Sequence, residues 1–421
     1  MTQLDILFVH NNYPAQFRNL AQRMAGIPGV RVVGIGADTA PGLAGTEFEG
    51  YAINGKNLGH VHPFARRFEL ESRRAEQVMY AAGILKMRGY IPRLIYVHPG
   101  WGEALPLRVL FPDAIICCYA EFYYAPSGTD VGFDREFQQF GVDGEARVVM
   151  RNAATLLALA DADFAIAPTA WQRSVFPREF RSKIHVVHDG LDCSKLAPKT
   201  PTGNLRFGHV TLGPDAEIVT FVARNLEPYR GFHIFMRSLP AILRARPNAH
   251  VCIAGGDKVS YGNAPTHHPH WRAAMLEELG DTLDRNRVHF LGSLPYDDYL
   301  ALLTHSRAHV YLTYPFVLSW SMLEAMAMEC LIIGSDTAPV QEVIRNGKNG
   351  LLVPFFDPHA LAEVVIGALE KPQRYKRHRQ EARKTVVSHY NFDTTSWPKH
   401  LQMIEDYGLP DRMLDILIAN R

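Results

Sequence analysis

Short, strongly apolar runs alternate with helical patterns twice along this chain, and that rhythm limits the folds open to it. The first series reads "LDILFVH", "VRVVGIGA", "RLIYVHP", "AIICCYAEF", "DFAIAPT" and "IHVVHDG". After Pro198 it restarts with "EIVTFVAR", "HVCIAGG", "RVHFLG", "AHVYLTYP", "CLIIGSD" and "GLLVPF". Runs apolar at every position belong to strands buried on both faces, and helices between them supply the cover. Strand–helix alternation of this kind produces parallel sheets with right-handed crossovers. The expected class is α/β, with two doubly wound Rossmann-like domains meeting near "LDCSKLAPKTPTGN". A helix is expected from about Pro14, in "PAQFRNLAQRMAG". In open parallel sheets, ligands bind beyond the carboxyl ends of the strands, so the chemistry is sought on those loops.

Bulk properties narrow the function classes. The 421 residues carry 44 Lys and Arg against 43 Asp and Glu, a net charge of +1, so no global field favours nucleic acid. The longest apolar runs fall short of the ~20 residues that a membrane helix needs. The five cysteines (Cys117, Cys118, Cys193, Cys252 and Cys330) have no zinc spacing and read as reduced, buried thiols. With no signal-peptide pattern at the start, the expected location is cytoplasmic. Two basic stretches stand out. Arg66, Arg67, Arg73, Arg74, Lys86 and Arg88 lie among apolar residues, and Lys371–Lys384 is dense in cations. Each reads first as a solvated helix face, with peripheral attachment to the inner face of a membrane as the alternative and, for Lys371–Lys384, attraction to a partner as well.

One carboxylate calls for explanation. In "YPFVLSWSMLEAMAMEC", Glu324 stands among Phe316, Trp320, Met322, Leu323 and Met326, where an unpaired charge would cost several kcal/mol. Ser321-x-x-Glu324 fits a capping box, in which serine and glutamate satisfy each other's amides. The alternative is that a helix start with Ser319 and Ser321 offers amides to an anion while Glu324 accepts from sugar hydroxyls. Both readings stay open on pattern alone.

Other strand ends carry candidate chemistry. In "FVARNLEPYRGF", Arg224 and Arg230 have the charge and fork geometry for a diphosphate; the alternative is a surface pair of Arg224 with Glu227. Gly255-Gly256 marks close backbone approach. His98, followed by Gly-Trp-Gly-Glu (Trp101, Glu103), and Glu121, flanked by Tyr119, Phe122, Tyr123 and Tyr124, would suit a carbohydrate site or a structural hydrogen-bond network. His267, His268 and His270 lack metal spacing and read as a solvent loop.

Together, "IHVVHDGLD", "RNLEPYRGF", "FLGSLPYDDYLALL" and "SWSMLEAMAMECLIIGSDTAPVQEVIRNGKNGLLV" resemble the family 4 glycosyltransferases of GT-B architecture. The resemblance is close in the second half and looser in the first. It implies two domains facing a cleft: 1–195 on the acceptor side, and 196–390 for a nucleotide sugar. A C-terminal crossover of about 391–421 returns to the first. It implies retaining, same-face transfer from a nucleoside-diphosphate sugar to a carbohydrate or lipid-linked acceptor in polysaccharide or glycoconjugate assembly. No metal and no cofactor are expected. Arg224 and Arg230 would hold the diphosphate. Glu324 would hold the ribose, and Gly231, Gly256, Ser319, Trp320 and Ser321 would meet phosphates or sugar. Leu294, in the Leu291–Pro295 loop, would flank the base. His98 and Glu121 join the arginines as catalytic candidates, with Asn12, Gln16, Trp101, Glu103 and Tyr123 on the acceptor side.

Three features depart from that family's pattern. Phe316 occupies the position eight residues before Glu324 where a glutamate is usual. The first loop, "HNNYPAQF", lacks a glycine pair. The typical strand-end histidine falls at or beside Glu121, with His98 one strand earlier. A nucleotide-sugar epimerase or hydrolase of the same architecture, and a non-catalytic nucleotide-sugar binder, are the competing readings.

Overall fold

The computed structural model describes residues 3–53, 57–138, 141–200, 203–207, 210–213 and 215–418. The outer ends of the expected domains at residues 1–2 and 419–421, and 201–202 of the joining stretch, lie outside the described residues. The chain divides into two compact units. The first comprises Met1–Gly132, Gln138–Leu191 and Tyr390–Arg421; the second comprises Phe133–Phe137 and Asp192–His389. The sequence reading had not separated Phe133–Phe137 from the residues around it.

The first unit is built on seven parallel strands in the order β3-β2-β1-β4-β5-β6-β7. They are β1 (Leu4–Val9), β2 (Val30–Ala37), β3 (Glu47–Tyr51), β4 (Leu94–Val97), β5 (Ile115–Tyr119), β6 (Phe164–Ala167) and β7 (Ile184–Val186). The apolar runs have the predicted physical cause. Leu7 and Val9 of β1 enter one core with Ile95 and Val97 of β4. Ile6 and Phe8 enter the core on the other face with Leu94 and Tyr96. Trp397, Leu401 and Ile404, from the helix Trp397–Asp406, complete that second core, so the C-terminal segment is part of this unit.

In the second unit a hairpin, β8 (Leu205–Phe207) and β9 (Val210–Leu212), precedes a six-stranded parallel sheet in the order β12-β11-β10-β13-β14-β15. Its strands are β10 (Glu217–Asn225), β11 (Ala249–Gly256), β12 (Val288–Gly292), β13 (Ala308–Tyr311), β14 (Ile332–Ser335) and β15 (Leu351–Val353). The hairpin residues Leu205, Phe207 and Leu212 close a core with Ile218, Cys252 and Leu302. Strand order reverses beside β1 in the first sheet and beside β10 in the second, which marks the topological switch points. All five cysteines are buried and free. Among the described residues no helix is long and apolar enough to cross a membrane.

Candidate active site

At the second sheet's switch point, the β10–β11 register slips between Val222 and Asn225, and the chain then turns through Pro228–Arg230. Gly231 follows at φ 65°, and a Cβ there would lie 2.3 Å from the Leu312 side chain, so only glycine fits. This turn drives Arg230 inward to 7% exposure. Its Nη1 donates to the Thr313 hydroxyl at 2.9 Å, the Val317 carbonyl at 2.9 Å and the Tyr311 hydroxyl at 3.4 Å. The guanidinium therefore spans the ends of β10 and β13. Burial opposes its charge, but Tyr311, Tyr261 and Glu227 outweigh burial and hold its pKa above the ordinary value.

Arg224 is different. It is exposed at the end of β10, and among the described residues it forms no ion pair. The pair with Glu227 weighed from sequence does not form. Glu227 is fully buried and accepts from the amides of Ser260, Tyr261 and Gly262 at 3.0–3.1 Å, pinning the loop after β11. Gly256 belongs to the same packing, since a Cβ there would lie 2.7 Å from Asn225 Oδ1.

For Glu324 the capping-box reading fails. The N-cap of the helix Trp320–Ala327 is Ser319, not Ser321, so Glu324 lies beyond the third helical position and the capping box does not form. Its two oxygens accept from Tyr296 and Tyr299, each at 3.0 Å. Burial, then the neighbouring Glu324 charge, push the Tyr299 phenol well above its usual pKa. The free amides expected at Ser319 and Ser321 are also taken. Ser319 N–H donates to the Tyr311 hydroxyl at 2.7 Å, and Ser321 N–H to Ser319 Oγ at 3.3 Å. Trp320 opens the helix itself. Leu294 packs against the core that the hairpin closes.

Phe316 is 3% exposed, with ring centroids 4.9 Å from Tyr261 and 5.5 Å from Tyr229. The Arg230 guanidinium lies 5.9 Å from its ring and 5.2 Å from that of Tyr261. An aromatic wall thus stands beside the cation.

In the first unit, β4 and β5 deliver His98 and Glu121 to one another. Gly100 N–H donates to His98 Nδ1 at 3.2 Å, which assigns the proton to Nε2, and Nε2 lies 3.2 Å from Glu121 Oε2. Gln16 Nε2 donates to the other Glu121 oxygen at 2.7 Å. Desolvation opposes ionisation of Glu121, but the bonds from His98 and Gln16 and the nearby imidazoles prevail, and its pKa is lowered. Glu103 lies deeper. It is fully buried, accepts from the Asn11 amide at 2.8 Å and the Tyr51 hydroxyl at 2.5 Å, and so fixes the loop after β1. Burial raises its pKa to about 7. Asn12 is exposed on that loop, its amide donating to His10 Nδ1. Tyr123 packs on Phe176. A cavity of about 50 Å³ opens onto His98, Trp101 and Glu121.

Several cations of the basic stretches are committed to structure. Arg67 and Arg74 donate to the Gly100 and Trp101 carbonyls, and Lys86 to that of Leu110. Arg379 and Arg383 donate to the carbonyls of Arg307, Leu196 and Ala327. Lys371, Arg374, Lys376, Arg377 and Lys384 are exposed, so the second stretch is largely the solvated face expected of it. Among the described residues one group, Asp134, Glu136 and His233, has metal-ligand spacing. Its oxygens already have partners: Tyr314 donates to Asp134, and Arg237 grips Glu136 at two points. Any cation there would compete with a guanidinium.

Comparison with known proteins decides the family. The model described as "Glycosyl transferase family 4 group" matches residues 28–196, and that described as "Glycosyl transferases group 1" matches residues 209–385. The chain belongs to the family 4-like glycosyltransferases. Glycogen synthase of Mycobacterium tuberculosis is 25% identical over 252 residues, 55% of this chain and 54% of that protein. A D-inositol 3-phosphate glycosyltransferase of Corynebacterium urealyticum is 24% identical over 62% of this chain and 57% of its own length. The chain thus spans about half the length of the curated relatives it matches. Among solved structures, sucrose-phosphate synthase from Thermosynechococcus elongatus superposes with a TM-score of 0.72 at 17% identity, covering 96% of this chain and 99% of that one. Anabaena Alr3699/HepE in complex with UDP and glucose gives 0.66 at 15% identity, covering 96% and 100%. These likenesses establish the GT-B-type fold. Within this family-4-like chain, the residues that sequence reasoning missed are the hydroxyl partners Tyr261, Tyr296, Tyr299, Tyr311 and Thr313. Only the spacing of Tyr296 and Tyr299, one helical turn apart, hinted at a shared target.

Proposed function

We propose that this protein transfers a sugar from a nucleoside-diphosphate sugar to a hydroxyl acceptor, with retention and without a metal. The observation that carries this reading is Arg230, a buried guanidinium held across the switch point of the second sheet. A fixed cation is the group needed where a diphosphate gathers charge as it departs. Exposed Arg224, on the same strand end, supplies a second.

In this reaction the bond from the anomeric carbon to the diphosphate oxygen breaks as a bond to the acceptor oxygen forms on the same face. The acceptor's proton passes to the departing phosphate oxygen, so charge and atoms balance. Glu324 would take the ribose hydroxyls, sharing its oxygens with Tyr296 and Tyr299. In the first unit, the ionised Glu121 with its His98 and Gln16 donors would orient the acceptor. The relatives named as glycogen and inositol-phosphate glycosyltransferases support a hexosyl donor and a role in polysaccharide or glycoconjugate assembly.

Phe316 favours a second reading, nucleotide-sugar binding without transfer, because no carboxylate stands at that position beside Arg230. Product analysis with UDP-, GDP- and ADP-hexoses and a polyol acceptor separates the two. A glycosylated polyol supports transfer, whereas free altered sugar or unchanged donor contradicts it.

A further inference from the structure

The cavity beside His98 and Glu121 has a cationic wall that the reading above does not use. It is lined by Arg67, Arg151 and Tyr124 as well as by Trp101 and Thr155. Arg67 is fixed from behind. Its Nε binds Glu71 and its Nη2 donates to the Gly100 carbonyl at 2.7 Å, while among the described residues Nη1 has no hydrogen-bond partner. Its guanidinium lies 5.1 Å from the centre of the Trp101 ring. The Arg151 guanidinium lies over the Tyr124 ring, 3.8 Å from its centre, and among the described residues it makes no hydrogen bond.

Tyr124 is itself anchored. Buried Asn152 accepts from its amide at 2.9 Å and donates to its carbonyl at 2.8 Å, which fixes the backbone that carries the phenol. Among the described residues Arg67 Nη1, the Arg151 guanidinium and the Tyr124 phenol have no hydrogen-bond partner, and together they form a three-point receptor. The one carboxylate lining the cavity, Glu121, is already matched by His98 and Gln16. Guanidiniums held rigid by stacking and by backbone carbonyls lose little entropy when they bind, and their fork matches a phosphate oxygen pair.

We infer that this cavity holds an anionic group, a phosphate ester, on the acceptor, with Arg67, Arg151 and Tyr124 as its donors. The inference rests on the transferase reading for the word acceptor, and on the cavity alone for the anion. It makes Arg67 and Arg151 specificity-determining residues. A hydroxyl of the same molecule would then lie at the His98–Glu121 pair that shares the cavity. The phosphate ester belongs either to a soluble sugar or polyol phosphate or to a lipid headgroup.

The test is calorimetric titration of the full chain with inorganic phosphate, glycerol 3-phosphate and glycerol. Phosphatidylcholine vesicles with and without phosphatidylglycerol form the second arm, read by co-sedimentation. Arg151→Ala, at an exposed position, and the double variant Arg67→Lys, Arg151→Ala are compared with the parent. The inference predicts saturable binding of glycerol 3-phosphate, or of the phosphatidylglycerol vesicles, but not of glycerol. Arg151→Ala should weaken that binding roughly tenfold or more, since a charge-assisted pair is worth about 1.5–3 kcal/mol. Response to the soluble phosphate assigns the group to a soluble acceptor, and response to the vesicles alone assigns it to a lipid. Absence of binding in both arms, or binding that both variants leave unchanged, overturns the inference. UDP titrated in parallel separates the two claims. Lost phosphate binding with intact UDP binding refutes only the anion site, and the converse refutes only the donor site.

Discussion

Replacing Arg230 with alanine removes the group on which the proposed donor site depends, and the structure sets the size of two separate effects. On the folded protein, the change strips Nη1 from the Thr313 hydroxyl and the Val317 carbonyl, both at 2.9 Å. Leaving buried acceptors unmatched costs about 1–3 kcal/mol. Part of that is offset, because a buried charge is also removed. On the ligand, a guanidinium facing a diphosphate loses charge-assisted bonds worth about 3 kcal/mol in total, roughly a 150-fold rise in Kd. The nucleoside, which lacks the diphosphate, should lose less than about threefold. Arg230→Lys keeps the charge and loses the fork, so its Kd should fall between. The assay is calorimetric titration of each variant with the nucleoside diphosphate and the matching nucleoside, alongside thermal melting. Equal losses for the two ligands would refute the diphosphate role. A lower melting temperature with an unchanged ratio of affinities would reduce Arg230 to a brace between β10 and β13.

The remaining predictions concern three carboxylates and one histidine. Glu324→Gln should weaken donor binding while costing about 1 kcal/mol of stability through the Tyr296 and Tyr299 bonds; a large melting shift at unchanged affinity would make Glu324 a support for those tyrosines. His98→Ala and Glu121→Gln should each lower kcat at least about tenfold with donor Kd unchanged, and unaltered turnover would remove the pair from the reaction. Glu103, with its pKa raised to about 7 from 4.5, favours the fold while protonated. Its contribution is therefore full below pH ~4.5 and declines through pH ~7, by on the order of 3 kcal/mol. Glu103→Gln should flatten the fall in stability between those limits, as read by denaturant melts, and an unchanged slope would contradict the assignment.

How much the sequence revealed depended on burial. Strands buried on both faces announced themselves, because runs such as "ILFV" in β1 are apolar and fully buried at every position. β3, "EFEGY", did not, since an edge strand with three exposed positions carries no such run. The hairpin β8–β9 escaped notice for a similar reason: each strand has three residues, one of them exposed. Arg230 was legible as a candidate because turn glycines and a strand end framed it. Its partners were not, because Tyr311, Thr313 and Val317 are more than eighty residues away and only the sheet brings them close. The capping box failed on a matter of register. Both serines can cap, and the tertiary bond from Ser319 N–H to Tyr311 settled which one does.

Metal-free recognition of a nucleoside diphosphate, on which the proposed transfer depends, is tested most directly on the unmodified protein. Calorimetric titration with UDP, GDP and ADP and their nucleosides, repeated in EDTA, reads it in one experiment. Tight binding of one diphosphate, much weaker binding of its nucleoside and no effect of the chelator are the predicted result. Binding of none of them, or binding that EDTA abolishes, would contradict it.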